Sequence, residues 1–134
     1  MNQCIFAMVR KANRVLFRRY QEALAPTGVS IVQLSLLRAL ERHGAMPLSR
    51  LAEHLAMERT SLYRTIDPLQ KSENVTVKNA DKGKVKIAEL TEKGQETIEK
   101  VMPYWAKAQE KVLKEVDSDN WEALRDILGK MANL

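Results

Sequence analysis

Between Pro47 and Ile87 the apolar residues change their spacing twice, and this restricts the fold more than any other feature of the chain. Leu48, Leu51, Ala52 and Leu55 recur at helical intervals and predict a short helix from Ser49 to Leu55. After Ala56-Met57-Glu58, Leu62, Ile66 and Leu69 mark the inner face of a second short helix, from about Arg59 to Lys71. Pro68 is expected to kink or loosen its last turn. The period then falls to two. Val75-Thr76-Val77 and Val85-Lys86-Ile87 read as strands around the polar turn Asn79-Ala80-Asp81-Lys82-Gly83. Two short helices in tandem followed by a hairpin predict a mainly α chain with a small β-hairpin wing.

Longer helical patterns flank this unit. Ile5, Met8, Val9, Ala12, Val15, Leu16, Tyr20, Ala23 and Leu24 form one stripe, ended by Pro26-Thr27-Gly28. Ser30 is placed to cap a helix with Val32, Leu34, Leu36, Leu37 and Leu40 inward, and His43-Gly44 to stop it. Thr91-Glu92-Lys93-Gly94 leads into a long helix carrying Ile98, Val101, Met102, Trp105, Ala108, Val112, Leu113 and Val116, with Pro103 as a point of bending. Asp117-Ser118-Asp119 caps a last helix with Trp121, Leu124, Ile127, Leu128 and Met131 apolar. Residues 1–134 suit one domain: a lobe over about 46–90, between flanking helices over about 3–25 and 92–134. Those flanking helices offer more apolar face than so small a lobe covers, which predicts a homodimer. The apolar run Ile5 to Val9 meets Arg10 and Lys11 too soon for a signal peptide or a membrane span, so no membrane partner and a cytoplasmic location are expected.

Charge is unevenly distributed. Residues 59–86 hold seven basic and three acidic side chains, whereas residues 87–134 hold seven basic and ten acidic. A cationic middle beside an acidic tail points to a localised face for a polyanion. In a tandem of short helices the second presents its N-terminal outer face to a DNA major groove, and its outward candidates are Arg59, Thr60, Ser61, Tyr63 and Arg64. Arginine bonds a guanine edge in bidentate fashion or clamps a phosphate, and hydroxyls at a helix start donate to phosphates. Simple helix capping is the competing use of Thr60 and Ser61. Lys78, Lys82, Lys84 and Lys86 surround the hairpin tip, where a cation can enter a narrow minor groove. Lysine lacks arginine's planar fork, so the hairpin is expected to add affinity more than sequence readout.

The chain resembles the MarR family (multiple antibiotic resistance regulators). The resemblance lies in Gln33-Leu34-Ser35-Leu36-Leu37-Arg38-Ala39-Leu40, in the run from Leu48 to Arg64, in Pro68-Leu69 and in Leu90-Thr91-Glu92-Lys93-Gly94. It implies a winged helix-turn-helix with interlocked N- and C-terminal dimerisation helices. It also implies a sequence-specific transcription regulator on double-stranded DNA with a palindromic site, acting as a repressor released by a small ligand or an oxidant. The ligands implied are small and aromatic, held between the dimer helices and the winged lobe. Two departures stand out: Glu73-Asn74 replaces the family's glycine and leucine, and Lys84 stands nearest to the wing arginine.

Cys4, the single cysteine, excludes an internal disulfide and precedes the first helix beside a run of positive charge that favours a thiolate. A redox switch competes here with an inert small apolar residue, and the inert reading carries more weight. His43 and His54 lie on different helices, and no nucleophile–base spacing, phosphate loop or metal motif is present, so no catalytic residue, metal or cofactor is expected. The rival to a DNA-binding regulator is a winged-helix protein-interaction module using the same helices.

Overall fold

Ser30 sets the start of the central helix by a reciprocal cap. Its hydroxyl accepts from the Gln33 N–H at 3.0 Å, while the Gln33 side chain accepts from the Ser30 N–H at 3.0 Å. The computed structural model describes residues 3–80 and 83–134. In chain order it contains α1 (Ile5–Leu24), α2 (Ile31–His43), β1 (Met46–Pro47), α3 (Leu48–His54) and α4 (Arg59–Lys71). These are followed by β2 (Val75–Asn79), β3 (Lys86–Leu90), α5 (Glu92–Val116) and α6 (Trp121–Ala132), with single 3₁₀ turns after α1 and before α6.

The core of the lobe is built where four helices meet the sheet. Leu36, Leu37 and Leu40 of α2 pack with Leu48 and Leu51 of α3, with Leu62, Ile66 and Leu69 of α4, with Val75 and Ala88 of the sheet, and with Ile98 of α5. Each of these side chains is buried, so truncating any of the leucines costs about 2–5 kcal/mol. A second cluster, Leu24, Leu34 and Val101, joins α1, α2 and α5. Beyond it, α1 is tied to α5 by Arg19 pairing with Glu115 and by the Tyr20 hydroxyl donating to Gln109. Burial pushes the Tyr20 phenol above its ordinary range.

Several expectations are corrected. The sheet has three strands in the order β1-β3-β2, not two, because Met46 pairs with Ala88 and Pro47 with Ile87. Val85 lies outside β3 and is exposed; its carbonyl accepts from the Ala80 N–H at 2.8 Å and closes the hairpin. Val32, expected inward, is half-buried. The bounds of α4 are those expected, Arg59 to Lys71 with Pro68 inside: a proline this late removes one ladder bond, and its own carbonyl still accepts from Ser72. Along α1 the apolar stripe is mostly open to solvent, with Ile5, Met8, Val9, Val15 and Leu16 exposed, as are Leu124, Ile127, Leu128 and Met131 of α6.

Candidate nucleic-acid interface

The turn between α3 and α4 determines how α4 is presented. After His54 the chain reverses through Ala56, whose φ of 52° lies in the left-handed region. The Ala56 N–H reaches the Glu53 carbonyl at 3.1 Å, and the Met57 N–H reaches the Ala52 carbonyl at 2.8 Å. Together they satisfy the free carbonyls at the end of α3 and fix the angle of the following helix. Leu62, Ile66 and Leu69 then lock the inner face of α4 into the core.

Opposite that anchored stripe, Arg59, Thr60, Ser61, Tyr63 and Arg64 are all exposed. Thr60 and Arg64 stand one turn apart on the outer crest, since residues four apart share a helix face. Glu58 occupies the N-cap position without a side-chain cap, and no acidic residue lies in the first turn of α4. The capping role for Thr60 and Ser61 is therefore not taken up: neither hydroxyl caps α4, and Ser61 serves through its carbonyl, which accepts from Thr65. The first-turn N–H groups of α4 remain available to an anion, which the helix dipole favours.

The two flanks of α4 differ. On one side Ser61 and Arg64 border a groove with Met57 and Glu58. On the other, Tyr63 faces the wing across a groove shared with Asp67, Gln70, Asn79 and Lys86. The strand register explains why the wing lysines do not act as one patch. Lys78 pairs with Ile87 and Asn79 with Lys86, so Lys78 and Lys86 point to opposite faces of the hairpin. Lys86 faces α4, Lys78 faces away, and both are exposed. Lys84 is exposed in the turn beside Gly83, whose φ of 104° suits only glycine. Lys82 lies outside the described residues.

Asp67 and Gln70, which the sequence did not single out, share the groove between α4 and the wing. The carboxylate of Asp67 places a negative charge on the C-terminal half of α4, whereas Arg59 and Arg64 leave its N-terminal half cationic. Arg50, exposed on α3, adds a cation on the bracing helix that charge counting over residues 59–86 left out.

Away from this face, a cleft of about 260 Å³ opens between α2, the end of α3 and α5. Arg38, Arg42 and His54 line it together with Leu34, Met102 and Trp105. Cys4 is exposed at the N-cap of α1, where its carbonyl accepts from Met8.

Residues 29–82 match the MarR family model. The uncharacterized HTH-type transcriptional regulator YhbI of Bacillus subtilis (strain 168) is 25% identical over 134 residues, covering 96% of this chain and 87% of the relative. Among solved structures, the transcriptional regulator MosR of M. tuberculosis in complex with DNA superposes with a TM-score of 0.85 at 28% identity, covering 98% of this chain and 95% of that one. NadR in complex with 4-hydroxyphenylacetate shares the fold, with a TM-score of 0.81 at 19% identity, covering 99% of this chain and 95% of that one. The MosR structure holds DNA, and its likeness to this chain extends over nearly the whole length of both. With its tandem helices, its wing and its flanking helices in the same order, the chain is similar to the MarR family over residues 29–82 and to transcription regulators of this fold over nearly its whole length.

Proposed function

We propose that this protein is a homodimeric repressor that binds a palindromic duplex site and is released from it by a small aromatic ligand. The observation that carries this reading is the presentation of α4: its inner face is held by Leu62, Ile66 and Leu69, while Arg59, Thr60, Ser61, Tyr63 and Arg64 stand outward around an uncapped N-terminus. In this reading Arg64 and Thr60 enter the major groove, Arg59 and Ser61 clamp flanking phosphates, and Tyr63 meets a thymine methyl or a phosphate. Lys84 follows the minor groove with Lys82 and Lys78, and Lys86 neutralises backbone between wing and recognition helix. The open apolar faces of α1 and α6 meet their counterparts in a second copy, which sets two recognition helices about 34–36 Å apart, one DNA turn.

The cleft beside α2 supplies the release. Two arginines and a histidine over a floor containing Trp105 suit a flat ring bearing an acid, the class of molecule to which 4-hydroxyphenylacetate belongs. An oxidant acting at Cys4 is the other route, and the exposure of the thiol supports it. Among the described residues no single helix is long and apolar enough to cross a membrane; a repressor of this kind would work on DNA in the cytoplasm.

Selection of bound fragments from random duplexes tests the proposal. A recovered palindrome with half-sites one helical turn apart is expected, bound roughly 10³-fold or more tighter than random DNA. Recovery of no preferred sequence, at low salt and without ligand, overturns it.

A further inference from the structure

His43 and His54 are the two histidines of the chain, and the fold brings their rings edge to face, with centroids 4.5 Å apart and planes inclined by 70°. His43 closes α2 and His54 closes α3, and both are exposed. His54 also lines the cleft of Arg38, Arg42 and Trp105. We propose that His54, steadied by His43, is a proton-dependent cation of this cleft, so that a small aromatic carboxylate takes up a proton as it binds. The inference rests on the effector reading of the cleft given above.

The charges around the cleft are not equivalent. Arg38 is already paired with Glu41 at 3.0 Å, and Glu41 is further held by the Gln95 side chain at 2.8 Å. Arg42 has no carboxylate within ion-pair distance among the described residues. An acid lying against Trp105 therefore meets one uncommitted arginine, whose fork can take both oxygens, and each oxygen keeps a lone pair for a further donor. Neutral imidazole offers one N–H and imidazolium offers two, with charge. A carboxylate between Arg42 and a charged His54 also screens their mutual repulsion, so anion binding and protonation promote each other. The ionisable neighbours are Arg38, Glu41, Arg42 and His43 from α2 and the exposed Glu53 from α3, while α5 lines the cleft with Met102 and Trp105, which do not titrate near neutrality. The ring edge carries positive potential and the ring face negative, so the T-shaped contact with His43 keeps His54 from swinging freely into solvent.

Calorimetric titration of the full chain with benzoate tests this, with benzamide as the neutral isostere. Benzoate affinity is expected to fall about tenfold between roughly pH 5.5 and pH 8, the range over which imidazole changes charge, while any benzamide affinity stays level. Paired titrations in buffers of different ionisation enthalpy should report proton uptake of about half a proton per benzoate at its maximum in the wild type. His54→Gln, an exposed substitution, should flatten the pH profile and abolish the uptake. A wild-type affinity for benzoate that ignores pH, or a pH slope that survives in His54→Gln, overturns the inference alone. Benzoate that binds at no pH overturns the effector reading of the cleft and the inference with it.

Discussion

Gly94 approaches the main chain of Asn74 so closely that a β-carbon at position 94 would overlap the Asn74 carbonyl oxygen and the Leu90 side chain. The closeness has a purpose visible in the hydrogen bonds. Asn74, only 7% exposed, donates from its side chain to Ser72 at 2.6 Å and accepts from Thr97 at 2.5 Å, and its carbonyl accepts from the Thr91 N–H at 3.1 Å. Asn74 thus fastens the end of α4 to the start of α5, and the family's leucine at this place would make none of the side-chain bonds. Gly94→Ala is expected to cost about 1–3 kcal/mol in urea unfolding, since backbone cannot move aside. Gly129→Ala, on an open face of α6, should instead stabilise by about 0.5–1 kcal/mol. Equal effects at the two sites would show that the contact at Gly94 is not limiting.

Glu73 carries φ of 64° immediately after α4, and Ala56 carries φ of 52° after α3. Both sit where a helix terminates through a left-handed residue, and a side chain there costs roughly 1–2 kcal/mol against glycine's smaller entropic cost. Glu73→Gly and Ala56→Gly should each raise stability by about 0.5–1 kcal/mol. The denaturant midpoint at unchanged slope is the measurement, and a lower midpoint in both variants would refute the account.

Separate roles for the recognition helix and the wing can be read from two variants. Arg64→Ala should cost about 1–3 kcal/mol on the selected site and little on random duplex. Lys84→Ala should weaken both alike and reduce the log–log salt slope by about one. Fluorescence anisotropy at several salt concentrations distinguishes them. An Arg64→Ala protein with its site preference intact would remove Arg64 from base readout.

The sequence reveals much of this fold because helix periods and turn residues are local signals. The stripe Leu62, Ile66 and Leu69 and the cap at Ser30 needed no knowledge of distant residues. What stayed hidden depends on pairing across the chain. A two-residue strand ending in Pro47 has no period of its own, and the opposite facing of Lys78 and Lys86 follows from a register that only the sheet fixes. Likewise the histidines looked unrelated because α2 and α3 are joined by a turn whose angle is tertiary. Glu73-Asn74 could be seen as unusual, but the left-handed backbone and the side-chain network that accommodates it could not.

Cys4 supplies a check on the oxidant route. Its thiol is exposed at the head of a 20-residue helix with no acidic side chain in the first turn, within reach of an oxidant in solution. Hydroperoxide should reduce DNA binding of the wild type and leave Cys4→Ser unaffected. The same loss in both proteins would assign the effect elsewhere.

The flanking helices provide the test of symmetry. Leu128 is exposed on α6 and belongs to neither buried cluster of the described residues, so Leu128→Glu should leave the lobe folded. If α6 of one copy meets the apolar faces of another, the substitution places a charge in that contact, which costs several kcal/mol when unpaired. Sedimentation should then find monomers at concentrations where the wild type is dimeric. Each monomer grips one half-site, so affinity for the full palindrome should drop by about 10²–10⁴, the advantage that tethering the second recognition helix provides. Circular dichroism confirming an intact helix content would assign the loss to assembly, whereas a variant that stays dimeric would move the interface away from α6.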